Sequence, residues 1–214
     1  MKMGLSIAAA VGVYGVSFGA LATTAGLSVL QTQVLSLLMF TGGSQFAFIG
    51  ALVGGGPTAV SAAFLLGLRN AVYGAELNAL MPSPLPWRMA KAHLTIDESF
   101  ATAVAQPTPE EQRRGFWTAG LGVFVCWNVF TLVGSLAGSV IGDPRTYGLD
   151  GAAVAGFLGL LWPRLKVRDS WAVAVVAAVV TVVLLPFLPP GVPLLVAAGA
   201  SAAVGLLRRA EVAV

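Results

Sequence analysis

Charges and turn residues cut this chain into apolar segments too long and too closely spaced for a protein that folds in water. The segments lie at about 4–25, 27–54, 57–81, 116–141, 150–162, 170–188 and 192–207, with a polar stretch, 82–115, in the middle. A helix needs about 20 mostly apolar residues to cross a ~30 Å hydrocarbon core. Inside that core only helices and closed barrels satisfy their own backbone. The expected fold is therefore all-α, a polytopic transmembrane helical bundle of about six to seven spans within a single domain, 1–214. Met1-Lys2-Met3 before the first run has the look of a signal peptide, but the run continues to Ala25 and reads as a first span.

Composition agrees. Only 12 basic and 9 acidic residues occur among 214, and 57% are hydrophobic. A soluble domain carries nearer ~25% charged residues. The basic residues sit singly or in short clusters between apolar runs, a pattern of membrane orientation rather than of a nucleic-acid groove. Arg88, Lys91, Arg113 and Arg114 fall in 82–115, Arg164, Lys166 and Arg168 in the 163–169 loop, and Arg208 and Arg209 near the end. The positive-inside rule places all three regions in the cytoplasm.

The segment 27–54 is interrupted at Thr41-Gly42-Gly43-Ser44-Gln45. It either crosses as one span or dips in and returns, and a cytoplasmic Lys2 favours the re-entrant path. The piece 28–40 has too few residues for an ordinary span, and so does 150–162. Gly26-Leu27-Ser28 opens the first short piece and Gly148-Leu149-Asp150 the second. That correspondence marks repeat halves 1–81 and 116–207, joined by 82–115, or else coincidence in an Ala/Gly/Leu-rich chain. In a genuine repeat, paired broken helices are where transporters place substrate.

Three clusters carry chemistry. At Phe40 to Phe46, Gly42 and Gly43 weaken the helix by roughly 1 kcal/mol each. The freed backbone groups, with the Ser44 hydroxyl and Gln45 amide, suit a zwitterion; the structural alternative is close helix packing. In the third segment Arg69, Tyr73 and Glu76 share one helical face, with Asn70 and Asn78 adding polar capacity. An intramembrane arginine needs a partner or water, so Arg69 either forks onto a substrate carboxylate or pairs internally with an acid. Glu76 is a proton carrier or a resident of the cytoplasmic interface. In "HLTIDESF", Asp97 and Glu98 are either a gate at the inner mouth or part of a solvated interfacial helix, and His93, four residues before Asp97, would share its face. Trp87, Trp117, Trp162 and Trp171 lie near segment ends, as interface anchors do.

The single cysteine, Cys126, lies in an apolar run and reads as a packing residue. With one histidine, and without a Walker loop, HExxH, CxxC or Gly-x-Ser-x-Gly, no enzyme activity, metal or cofactor is expected.

The order "GVSFGALATTAGLS", "FTGGSQFAFIGAL", "LGLRNAVYG", "HLTIDESFA" and "GLDGAAVAGFLGLL" resembles the AzlC-type branched-chain amino acid permeases over almost the whole chain. The resemblance implies a multi-pass protein of the bacterial inner membrane, the large subunit of an amino acid exporter with a small AzlD-type membrane partner. It implicates Gly42, Gly43, Ser44, Gln45, Arg69, Tyr73, Asp97 and Glu98. Departures fall at Gly67, where the pattern has asparagine, at Asn70, often histidine, and before Tyr14, where a proline is expected. The expected function is secondary export of branched-chain or similar neutral amino acids. Rivals are a non-transporting membrane scaffold or regulatory subunit, a carrier or channel for another small solute, and a membrane-embedded enzyme. A higher oligomer is compatible with any of these.

Overall fold

A computed structural model describes residues 2–52, 55–141, 158, 161–162, 165–166, 168–188 and 192–212. Among these residues there is no strand. The helices are α1 (Lys2–Thr24), α2 (Val29–Leu38), α3 (Gly42–Ala51), α4 (Gly56–Leu80), α5 (Leu85–His93), α6 (Asp97–Val104), α7 (Pro109–Ile141), α8 (Arg168–Leu184) and α9 (Val192–Val212). The short piece 150–162 and the Gly148–Asp150 half of the repeat lie essentially outside the described residues.

Local signals set the boundaries. Gly26 adopts φ +94° between α1 and α2, a conformation that costs an L side chain energy. Ser28 then caps α2, its hydroxyl accepting from the Gln31 amide while Gln31 accepts from the Ser28 amide. At the start of α7 the Thr108 hydroxyl accepts from the Glu111 amide and donates to the Glu111 carboxylate, with Pro109 at the first helical position.

The centre of the bundle is α1 laid along α7. Glycines make that approach close. A Cβ at Gly12 would meet Cys126 Cβ at 2.6 Å, and one at Gly15 would meet the Trp127 carbonyl at 2.7 Å. Gly19 sits against the Thr131 carbonyl and Gly134 against the Val16 carbonyl. Small residues of this kind let membrane helices gain dispersion contacts that lipid cannot offer. The helices α2 and α6 pack on α7, α3 packs on α4, and the α8–α9 hairpin touches α4.

Polarity is turned inside out. Leu30, Leu38, Phe64, Val72, Val140 and Phe187 face outward, whereas Thr32, Ser36, Ser44, Gln45, Thr131 and Ser135 are fully or almost fully buried. Water would penalise that arrangement, and hydrocarbon favours it. Two described helices, Gly4–Thr24 and Pro109–Val140, are each long and apolar enough to cross a membrane. They do not by themselves establish six to seven spans. At 33 residues, α7 is about 50 Å long and outruns the hydrocarbon thickness.

Two expectations about local structure need correction. The break in 27–54 falls at Met39–Thr41, and Gly42 to Gln45 form the first turn of α3. His93 and Asp97 do not share a helical face, because α5 ends at His93 and α6 begins at Asp97. Side chains divert the backbone between them. Thr95 Oγ1 donates to the Lys91 carbonyl at 2.7 Å, and Ser99 Oγ accepts from the Ile96 amide while donating to the Leu94 carbonyl. Leu94, Thr95, Ile96 and Ser99 are buried, so this segment is core rather than a solvated helix.

Candidate functional site: a polar break beside two cavities

The break between α2 and α3 leaves helix-end carbonyls in the interior, where each must find a donor. Gln45 supplies it. Its Nε2 donates to the Met39 carbonyl at 2.8 Å and the Ser36 carbonyl at 3.4 Å. Its Oε1 accepts from Trp127 Nε1 at 2.8 Å. The amide is thus fully committed to tying the broken segment to α7, and Gln45 has no exposed surface. Trp127 also stacks on Phe18 and meets Phe46 edge-on.

The two glycines answer to sterics. A Cβ at Gly42 would lie 3.0 Å from Trp127 Cη2, and one at Gly43 would lie 2.8 Å from Arg69 Nη2. They let the amino end of α3 reach both side chains. Thr41 precedes α3 without a side-chain cap. Ser44, 1% exposed, has an Oγ with no hydrogen-bond partner. That hydroxyl borders a cavity of about 400 Å³ shared with Thr41, Gly67 and the apolar side chains of Val60, Phe64 and Leu68.

Arg69 Nη2 lies 2.8 Å from Asp97 Oδ2. Of its two readings, the internal ion pair is the one this conformation holds. Its Nε is buried without a partner. One turn on, Tyr73 stacks on Phe100 with ring centroids 4.3 Å apart. The two contacts clamp the middle of α4 to α6. Asp97 and Glu98 occupy the first turn of α6, where the helix dipole favours negative charge.

The remaining candidates lie elsewhere. Asn70 borders a second cavity, of about 470 Å³, between α4 and α5, and its Oδ1 is buried and unpartnered. Glu76 is exposed on α4. His93 is exposed at the end of α5, its ring beside Phe40 and Phe124. The structure therefore joins Gly42, Gly43, Ser44 and Gln45 with Arg69, Asp97 and Tyr73. It leaves Asn70, Glu76 and His93 outside that group.

Sequence reasoning missed Lys91. It is 4% exposed, and its ammonium donates to the Met81 and Leu77 carbonyls and to Ser83 Oγ, closing the end of α4. Burial, and then the neighbouring Arg88, lower its pKa below the ordinary 10.5. A polar seam between α2 and α7 was also missed. Gln33 Nε2 reaches Asn128 Oδ1 at 3.3 Å, and Ser36 Oγ reaches Thr131 Oγ1 at 3.5 Å. The signal available was Trp127-Asn128 in the middle of an uncharged span.

The family model for the AzlC protein matches residues 6–141, more than half of the chain, and the chain belongs to that family. An uncharacterized membrane protein of Archaeoglobus fulgidus is 35% identical over 154 residues, covering 71% of this chain and 68% of that relative. No solved structure matches. The family and this relative identify the chain as a membrane protein.

Proposed function

We propose that this AzlC-family protein is a multi-pass secondary transporter of six to seven spans that exports branched-chain or similar neutral amino acids across the bacterial inner membrane. Its partner in this reading is a small AzlD-type subunit.

One observation carries the reading. A buried hydroxyl without a partner, Ser44 Oγ, stands in the first turn of a half-length helix and opens onto a cavity with aliphatic and aromatic walls. The amino end of a helix attracts carboxylates through its free amides and dipole, and broken membrane helices present such ends to anionic substrate groups. A carboxylate there would accept from Ser44 and the backbone, with the Arg69 charge behind Gly43. Val60, Phe64 and Leu68 would lie along an aliphatic side chain in this open groove. The Arg69–Asp97 and Tyr73–Phe100 contacts are the joint that alternating access would open. Glu76, His93, Asp97 and Glu98 are the titratable groups available for gating or proton coupling. Without a nucleotide-binding motif, the energy would come from an ion gradient or the substrate's own gradient.

The test is valine and leucine efflux from cells preloaded with a dipeptide, with and without this chain and its small partner. Faster efflux only with both supports an amino acid exporter that works as a heteromer. Unchanged efflux of every branched-chain residue, with membrane expression confirmed, would remove the proposed substrate.

A further inference from the structure

The two cavities beside α4 lie end to end along one face of that helix. Val60, Ala63 and Gly67 border the first, Gly74 and Asn78 the second, and Ala71 belongs to both. At 3.6 residues per turn these six positions fall within a stripe about 80° wide. From Val60 to Asn78 the stripe is about 27 Å long, close to the ~30 Å hydrocarbon thickness. Four of the six positions are Gly or Ala, so the stripe carries few side chains, with Phe64 and Leu68 along one edge and Asn70 along the other. Arg69, Tyr73 and Glu76 lie off this stripe.

Its two ends differ in chemistry. The α3 end has Ser44 and apolar walls. The α5 end carries Arg88 and Lys91, and no acid lines it. Lys91 spends its donors on Leu77, Met81 and Ser83, so it contributes charge without free N–H groups. Arg88 is exposed and makes no salt bridge among the described residues, so its donors are free. Two adjacent cations without a counter-ion leave this end electropositive, and such a cleft concentrates anions. Near the junction stands the unpartnered Asn70 Oδ1.

We infer that this stripe of α4 is the translocation track and that Arg88, beside the Lys91 charge, forms its loading site, where the free guanidinium pairs with the carboxylate of a zwitterionic solute before it reaches Ser44. The inference rests on the transport reading.

Its test uses the full chain, with its partner, in sidedness-defined proteoliposomes and labelled leucine. Arg88→Gln should raise KM about fivefold with kcat unchanged, only when leucine is offered on the α5 side, and the difference should shrink at high salt. Ala71→Leu should cut transport more than tenfold. Leu65→Phe, about 120° off the stripe, should not. Independently of activity, Gly67→Cys, Ala71→Cys and Gly74→Cys in a Cys126→Ser background should each react with a water-soluble thiol reagent, and leucine should slow the reaction. An unchanged KM in Arg88→Gln, normal transport in Ala71→Leu, or three unreactive cysteines would overturn the inference while leaving transport intact. No leucine transport by the unmodified protein would sink the proposed function itself.

Discussion

Trp127 on α7 donates its indole N–H to the side-chain amide of Gln45 on α3 at 2.8 Å, and that amide also holds the carbonyl of Met39 at the end of α2. One buried side chain thus closes the hydrogen-bond ledger of a helix break. Gln45→Leu would leave the Trp127 indole donor and the Ser36 carbonyl without partners, and the Met39 carbonyl with the Thr41 amide alone. At about 1–3 kcal/mol for each orphaned buried group, thermal stability in detergent should fall by several degrees or more. Trp127→Phe orphans only Gln45 Oε1 and should cost less. Equal melting temperatures for Gln45→Leu and the unmodified protein would show that the break is held some other way.

The α1–α7 contact makes a steric prediction. A Cβ at Gly19 would meet the Thr131 carbonyl and come within 2.6 Å of the Ser135 amide. Both obstacles are backbone, so neither can rotate away. Gly19→Val should cost more than about 3 kcal/mol and give protein that aggregates or is degraded before it accumulates. Gly50, where a Cβ meets nothing within 4 Å, is the matched control, and Gly50→Ala should be neutral. A monodisperse, stable Gly19→Val protein would mean that the two helices do not lie as described.

How much of this was legible in the residues depends on what each residue answers to. Segment type and inside-out polarity follow from long apolar runs with few charges, a signal that survives without knowing any contact. The break in 27–54 was visible in Gly42-Gly43, but its place was not. Those glycines mark close approach by Trp127 and Arg69, both distant in sequence, while the break itself sits two residues earlier at Met39–Thr41. The internal pairing of Arg69 was foreseeable as one of two options, since an intramembrane guanidinium needs an acid or an anion. The burial of Lys91 had no such signal, because the carbonyls that hold it come from a helix end 10 and 14 residues away. His93 and Asp97 were joined by spacing alone, which fails wherever Ser and Thr side chains compete with helical hydrogen bonds.

The ion pair between Arg69 and Asp97 separates two roles for the arginine. Side chains 29% and 22% exposed are partly screened, so breaking the pair should cost on the order of 1–3 kcal/mol. If Arg69 serves transport through the clamp on α6, Arg69→Ala and Asp97→Ala should impair export alike, and the double variant should be no worse than either. The measurement is a double-mutant cycle on efflux rate with surface expression held equal. An inactive Arg69→Ala beside a fully active Asp97→Ala would instead assign the guanidinium to the substrate carboxylate.

Ser44 and Gly67 lie side by side at the border of the first cavity, and they give the sharpest separation of binding from folding. The Ser44 hydroxyl has no protein partner, so Ser44→Ala removes no intramolecular hydrogen bond and should leave stability within about 0.5 kcal/mol. If the hydroxyl donates to substrate, the same change should raise KM by about two- to tenfold, the worth of one hydrogen bond. Gly67→Ala places a methyl 3.3 Å from Ser44 Oγ, tight enough to displace the hydroxyl and narrow the cavity. Leucine should then lose about tenfold relative to alanine in competition assays, because the longer side chain needs the space that the methyl takes. Unaltered selectivity in Gly67→Ala, together with an unaltered KM in Ser44→Ala, would place the substrate outside this cavity.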